Sequence, residues 1–267
     1  MIRLISMLIC LLLMGHCFAQ LKKIKEIKLS GITNVSVDRL GNFYFVTGDG
    51  RIHKYDPNAK LLATSAPNSG PLSLIEAWNP LRVFTYYAGD STYHIFNYNL
   101  ELLEIKKVDP SHAITPALAC PGNEPTLWIL DEADLSLKKV NYRTNELILE
   151  SKIDSASNQT RFEFMRSYQD YLFISDSNGN IRILNRLGKP VTIVPSVRGH
   201  YFNFLGEEIC FRRGGELLLL DLYTAELRSV TKLAEPEMIA FSIISDERVI
   251  LGRKDRVEFY TYHLPQN

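Results

Sequence analysis

The sequence predicts an all-β fold, a six-bladed β-propeller of four-stranded blades, and three observations carry that expectation. A four-strand unit read from residues 34–62 recurs along the chain with a mean spacing of about 41 residues. No stretch shows the 3.6-residue apolar period of a long helix. A segment at 21–29, ahead of the first unit, supplies the strand that the last unit lacks. Periods of about 40 to 45 residues with four strands each are the signature of a propeller. A sandwich or barrel would not need a matching turn after every third strand.

In the first unit Val35 and Val37 alternate, and residues 38–42 turn the chain. Phe43, Tyr44, Phe45 and Val46 then form an aromatic and β-branched run suited to a pleated, half-buried surface. Gly48-Asp49-Gly50 makes a hairpin, Ile52, Lys54 and Tyr55 carry the third strand, and Asp56-Pro57-Asn58-Ala59 turns into a fourth at Leu61-Leu62. The second unit reads as 72–77, 82–87, 93–98 and 102–108, and the third as 115–119, 126–130, 136–142 and 147–153. The fourth reads as 161–166, 171–175, 180–185 and 189–194, and the fifth as 200–204, 208–212, 216–221 and 226–232. The sixth has 237–243, 248–252 and 256–262 and then ends, so 21–29, alternating Ile24, Ile27 and Leu29 with lysines, is assigned as its outer strand. Such closure covers sheet edges that would otherwise pair with other chains.

Residues 1–19 read as a signal peptide: Arg3 gives a positive start, 4–14 an apolar core too short to span a membrane, and Ala19 a small residue before the cut. Lipidation at Cys17 would want a small residue before it, where His16 stands. The remainder, 20–267, is long enough for one sizeable all-β domain. Thirty basic and thirty acidic residues, less Arg3, leave a net charge near −1, which excludes a nucleic-acid or anionic-membrane footprint. Cys120 and Cys210 fall in different blades and belong to no CxxC pair, so they read as buried and unpaired.

The residues Val37-Asp38 with Gly41-Asn42-Phe43-Tyr44 and 51–56 (RIHKYD), and again 171–176 (YLFISD) with 181–185 (IRILN), resemble blades of NHL-like six-bladed propellers. The likeness is good in blades one and four. Gln20 at the new N-terminus is similar to that of exported Bacteroidetes proteins. Members of this superfamily bind proteins, sugars or small ligands and a minority are enzymes, so the resemblance implies fold more than function.

Among local patterns, Asp176, Asn178 and Asn180 begin like a Ca²⁺ loop, but Leu187 stands where its twelfth-position Glu belongs, which leaves a hairpin turn. His53, His94, His112, His200 and His263 have no metal-pair spacing, and no G-x-S-x-G occurs, so no metal, cofactor or catalytic residue is assigned. Asn34-Val35-Ser36 and Asn158-Gln159-Thr160 match the N-glycosylation pattern, Asp90-Ser91-Thr92 and Asp154-Ser155-Ala156 resemble the Bacteroidetes O-glycosylation pattern, and all four read first as surface turns. Trp78 and Trp128 are expected to pack between blades, and Trp78-Asn79-Pro80, in a loop, is the fair candidate for an exposed sugar platform.

The hairpins after the second strands align on one face and carry the candidate binding residues. Asp49, Asp90, Asp131 and Asp176 form an acidic arc over blades one to four. Arg212, Arg213, Arg253 and Lys254 form a basic arc over blades five and six, suited to a carboxylated glycan or an acidic partner loop. The expected function is an exported, non-catalytic binding or scaffolding module of the cell envelope, periplasmic, outer-membrane-associated or extracellular. It would be a monomer or part of an envelope complex, with a protein or glycan ligand and no nucleic acid. The alternative is a propeller hydrolase or lyase acting on a glycan or small ester at the central channel. Intact mass of the exported protein checks the leader: it should correspond to 20–267, and a form retaining Met1 or a lipid on Cys17 would overturn export by this route.

Overall fold

The computed structural model describes residues 21–68, 70–123, 125–153, 161–195 and 201–262. They form six antiparallel four-stranded sheets arranged as a β-propeller. Blade one is β2 (Ile32–Val37), β3 (Phe43–Thr47), β4 (Ile52–Tyr55) and β5 (Leu61–Thr64). Blade two is β6 (Leu74–Glu76), β7 (Val83–Tyr87), β8 (Thr92–Phe96) and β9 (Leu102–Lys107), and blade three is β10 (Pro116–Pro121), β11 (Thr126–Asp131), β12 (Ser136–Asn141) and β13 (Glu146–Lys152). Blade four is β14 (Phe162–Tyr168), β15 (Tyr171–Asp176), β16 (Ile181–Asn185) and β17 (Pro190–Val194). Blade five is β18 (Asn203–Leu205), β19 (Glu208–Arg213), β20 (Glu216–Asp221) and β21 (Leu227–Lys232). The third strands begin at or within one residue of their expected positions.

Blade six takes β22 (Phe241–Ile244), β23 (Arg248–Gly252) and β24 (Arg256–Thr261) from one end of the chain and β1 (Lys22–Lys28) from the other. β1 pairs antiparallel with β24 from Lys22 opposite Thr261 to Lys28 opposite Arg256. Two aromatic contacts tie blade six to blade one: Phe43 meets Phe259 edge-on at 5.8 Å, and Phe45 meets Phe241 at 6.0 Å. Gly252, paired with Phe241 across the sheet, makes the second possible, because a Cβ there would lie 2.0 Å from that ring.

One device ends the third strand in five blades. Asp56, Asn97, Asn141, Asn185 and Asp221 each accept backbone N–H groups through a side-chain oxygen, Asp56 from Asn58 and Lys60 and Asn97 from Asn99 and Glu101. A residue of positive φ follows three or four positions on: Ala59, Leu100, Asn145, Gly188 and Ala225. The side chain fixes the turn that the left-handed residue completes. The recurring Asp/Asn is therefore a structural repeat.

Three expectations need correcting. Phe43, Tyr44, Phe45 and Val46 are all buried, not half-buried, because inner strands are covered on both faces by neighbouring blades. The first strand of blade six starts at Phe241, not 237: Glu235 is left-handed and Pro236 lacks a donor, so Pro236–Met238 makes a single 3₁₀ turn instead. Asn34-Val35-Ser36 is no surface turn but lies in innermost β2, with Val35 and Ser36 buried. Asp90-Ser91-Thr92 does form a hairpin turn, whereas 154–156, 158–160, His200 and His263 lie outside the described residues. Cys120 and Cys210 are buried and free, as expected. No helix among the described residues is long and apolar enough to cross a membrane.

The closing strand also carries an electrostatic clasp. Glu258 of β24, 4% exposed, accepts from Lys23 of β1, from Arg253 and Arg256, and from the Tyr260 hydroxyl, at 2.9–3.1 Å. Burial pushes its carboxyl up, but those four donors outweigh it and hold the pKa at about 2. A depressed carboxyl pKa stabilises the fold above its unfolded value, and that contribution drains away as pH falls from 4.5 toward 2. Glu258→Gln should lower the melting temperature by about 5 °C at pH 7, from ~2 kcal/mol for charged hydrogen bonds. Thermal melts should show the gap closing by pH 2; a gap that persists there would mean the carboxylate is not its source. Deleting 20–29 leaves the β24 edge unpaired and should lower the melting temperature by about 10 °C or more. A truncated protein that melts like the intact one would refute the closure.

Candidate functional site

An open cleft of about 420 Å³ lies between blades two and three and extends to blade four. It opens on the face made by the turns joining first to second strands. Those turns lie at the opposite ends of the second strands from the predicted charged hairpins. Its inner end is set by a buried ion pair: Arg166 on β14, 2% exposed, donates through Nη2 to Glu76 of β6 at 2.8 Å and through Nε to the same carboxylate. Arg166 also donates through Nη1 to the Phe202 carbonyl at 3.2 Å, so one guanidinium links blades two, four and five. Burial disfavours its charge, but Glu76 outweighs that and raises its pKa. Removing one member of such a pair typically costs about 3–5 kcal/mol, because the other charge stays buried alone.

Glu76 also accepts the backbone N–H of Trp78 at 2.9 Å, and the Trp78 carbonyl accepts from Arg39 N–H at 3.3 Å. With its backbone held on both sides, Trp78, 36% exposed, stands at the cleft mouth. It meets Tyr168 edge-on at 5.4 Å; Tyr168 in turn stacks on Phe204 at 4.1 Å and donates its hydroxyl to the Gly206 carbonyl at 2.7 Å. An exposed ring so braced loses little freedom when a ligand lands on it.

The opposite wall is Phe84 stacked on Tyr93 at 5.5 Å, with Ile95, Leu127 and Tyr142. Burial, aided by Glu104, pushes Tyr93 up to about 12. Along the rim Glu104 lies between two cations, 3.2 Å from Lys106 Nζ and 3.6 Å from Arg82 Nη2. The Lys106 hydrogen bond leads in holding the Glu104 carboxyl below the usual range. Lys106 also sits 5.3 Å from the Tyr142 ring centre. An adjoining hollow of about 190 Å³ shares Tyr93, Lys106, Leu127 and Tyr142 and adds Lys107 and His112.

The predicted charged residues lie elsewhere. Asp131 is fully buried and accepts from the amides of Ile114, Thr115 and Ala133 and from Lys138 at 2.8 Å; Asp176 is buried and accepts from the amides of Asn178 and Asn180. Asp49 is exposed and bonds Thr47 and Arg51, and exposed Asp90 holds the Thr92 hydroxyl. Arg212 donates to the Pro236 carbonyl, Arg213 to that of Pro195, and Arg253 to Glu258 and Glu235, while Lys254 is exposed. The described residues hold no group of three or more His, Cys, Asp or Glu placed for a metal ion. Burial raises both thiols, Cys120 and Cys210, far from thiolate reactivity.

Sequence reading found Trp78 through its loop and missed the rest of the cleft. Glu104 and Lys106 look like the solvated side of an outer strand, and Tyr93, Tyr142 and Tyr168 look like ordinary strand aromatics. Trp128 is buried as expected, with Lys139 Nζ 5.1 Å from its ring centre.

No protein-family model matches the chain, and no curated protein matches it in sequence. Solved structures do resemble it. A streptogramin B lyase superposes with a TM-score of 0.63 at 12% identity, covering 92% of this chain and 98% of that one. A chain of the mitotic checkpoint complex gives 0.64 at 8% identity, covering 93% and 94%. BamB from Moraxella catarrhalis gives 0.50 at 10%, covering 91% and 100%. At these identities the likeness is one of fold alone.

Proposed function

We propose that this protein is an exported, non-catalytic binding module of the cell envelope that holds its ligand in the cleft between blades two and three. The observation that carries this reading is the cleft itself: a concave, aromatic-walled volume with a few convergent polar groups, braced by a buried ion pair. Glu104, held ionised by Lys106, is suited to accepting hydrogen bonds rather than donating a proton near neutrality. Glu76 is committed to Arg166 and to the Trp78 amide. The leader read at 1–19 supports export, and the exposed Trp78 ring at the mouth suits recognition of a glycan or of a side chain from an envelope partner.

Filling the cleft without disturbing the fold tests the reading. Ser167, partly exposed on the cleft wall, can be enlarged in Ser167→Phe. Equilibrium dialysis of both proteins against an envelope extract, read by mass spectrometry, should show a molecule retained by the wild type and at least tenfold less by the variant, with melting temperatures alike. Equal retention by both, or retention by neither, would overturn the cleft as the binding site. A retained molecule recovered in cleaved form would overturn the non-catalytic reading in favour of a hydrolase or lyase.

A further inference from the structure

We propose that the cleft recognises a neutral saccharide, an uncharged sugar ring set against Trp78 with its hydroxyls among the tyrosine hydroxyls and side-chain amides of the cleft wall. The inference deepens the cleft reading and rests on it. Three observations carry it.

The first is the charge balance of the walls. Among the described residues lining the cleft the charged side chains are Glu76, Glu104, Arg82 and Lys106, two of each sign. All four are engaged: Glu76 with Arg166 behind the wall, Glu104 with Lys106 at 3.2 Å and with Arg82 at 3.6 Å, and Arg82 in a further interaction of its own. The adjoining hollow adds Lys107 and Asp109, again one of each sign. A charged ligand would have to compete with these partners for its counter-charge, whereas an uncharged one leaves them in place.

The second is a set of hydrogen-bonding groups with capacity to spare. Tyr93, 6% exposed, and Tyr142 both line the cleft, and neither hydroxyl has a hydrogen-bond partner among the described residues. Glu104, Tyr142 and Arg82, the groups that act electrostatically on the Tyr93 phenol, are all cleft residues, which places its hydroxyl at the cleft. Asn79 and Gln169, also in the lining, have their side-chain oxygens occupied by Leu81 N–H at 3.2 Å and by the Tyr223 hydroxyl at 3.0 Å, while neither NH₂ donates to another described residue. A purely apolar ligand would cover these groups and leave them unsatisfied, whereas a polyol supplies both donors and acceptors.

The third is the platform. Trp78 is exposed, its backbone is held on both sides, and its ring meets Tyr168. The negative face of an indole attracts the polarised C–H groups that line one side of a sugar ring, and it does so without needing a net charge. A sugar joins such a C–H face to a fringe of hydroxyls in one neutral molecule, and a cleft of about 420 Å³ has the size of a small-ligand site.

Isothermal calorimetry of the mature protein tests this with three neutral trisaccharides, cellotriose, maltotriose and the trimethyl ester of trigalacturonate, and with trigalacturonate as the charged counterpart of the last. At least one neutral trisaccharide should bind saturably, with the same affinity at low and high salt. Tyr93→Phe should weaken that binding about fivefold without changing the melting temperature, since the lost hydroxyl has no partner in the free protein. Trp78→Ala should abolish it, and trigalacturonate should bind no more tightly than its ester. Tighter binding of trigalacturonate would overturn the neutral ligand while the cleft reading stands. Saturable binding that both Tyr93→Phe and Trp78→Ala leave intact would place the sugar elsewhere and overturn the assignment. Binding of no trisaccharide, with the Ser167→Phe difference in dialysis intact, would overturn the saccharide and again spare the cleft. Loss of that difference as well would sink both. Tighter binding of indole than of any trisaccharide would replace the sugar by an apolar planar ligand, and a peptide as the molecule retained in dialysis would replace it by a protein partner.

Discussion

Ring closure is the constraint on which this structure depends. Six sheets of one design can bury their faces only against one another, so the last must meet the first, and the chain achieves this by lending β1 to the sheet made from its other end. Backbone pairing, the Phe43–Phe259 and Phe45–Phe241 contacts and the Glu258 clasp all act at this seam. β1 itself is a lysine-rich, mostly exposed edge, a composition that discourages further strands from adding to it.

A second restraint acts at the centre. Arg166 and Glu76 join blades two and four across the blade between them, and the Phe202 carbonyl brings in blade five. Asn203 adds another bridge, donating to the Ile244 carbonyl and accepting from its N–H, which links blade five to blade six. The same Glu76 that satisfies the buried guanidinium fixes Trp78 two residues later. Core and cleft therefore share a residue, and the Trp78 wall of the cleft is anchored to the axis through it.

The two faces of the disc differ in how their polar groups are used. On the hairpin face Asp131, Asp176, Arg212 and Arg253 are engaged by neighbouring amides, carbonyls or opposite charges. On the other face the turn between β6 and β7 raises Trp78 beside a cleft whose rim carries Glu104, Lys106 and Arg82.

The sequence by itself determined the number of blades, the strand order within each and the origin of the closing strand. Those features follow from local alternation, turn chemistry at residues such as Asp56, Asn97 and Asp221, and a repeat whose spacing survives divergence. Trp78 was legible for the same local reason, a large ring in a short polar loop. Tertiary structure alone decided that Asp131 and Asp176 turn inward to cap amides, that Phe43 to Val46 are covered on both sides, and that Lys106, Glu104, Tyr93, Tyr142 and Tyr168 converge on one cleft. Those five come from three blades, and no spacing in the chain encodes their meeting. Their proximity is set by how blades stack around the axis, where packing of one sheet against the next, and not sequence distance, brings side chains together.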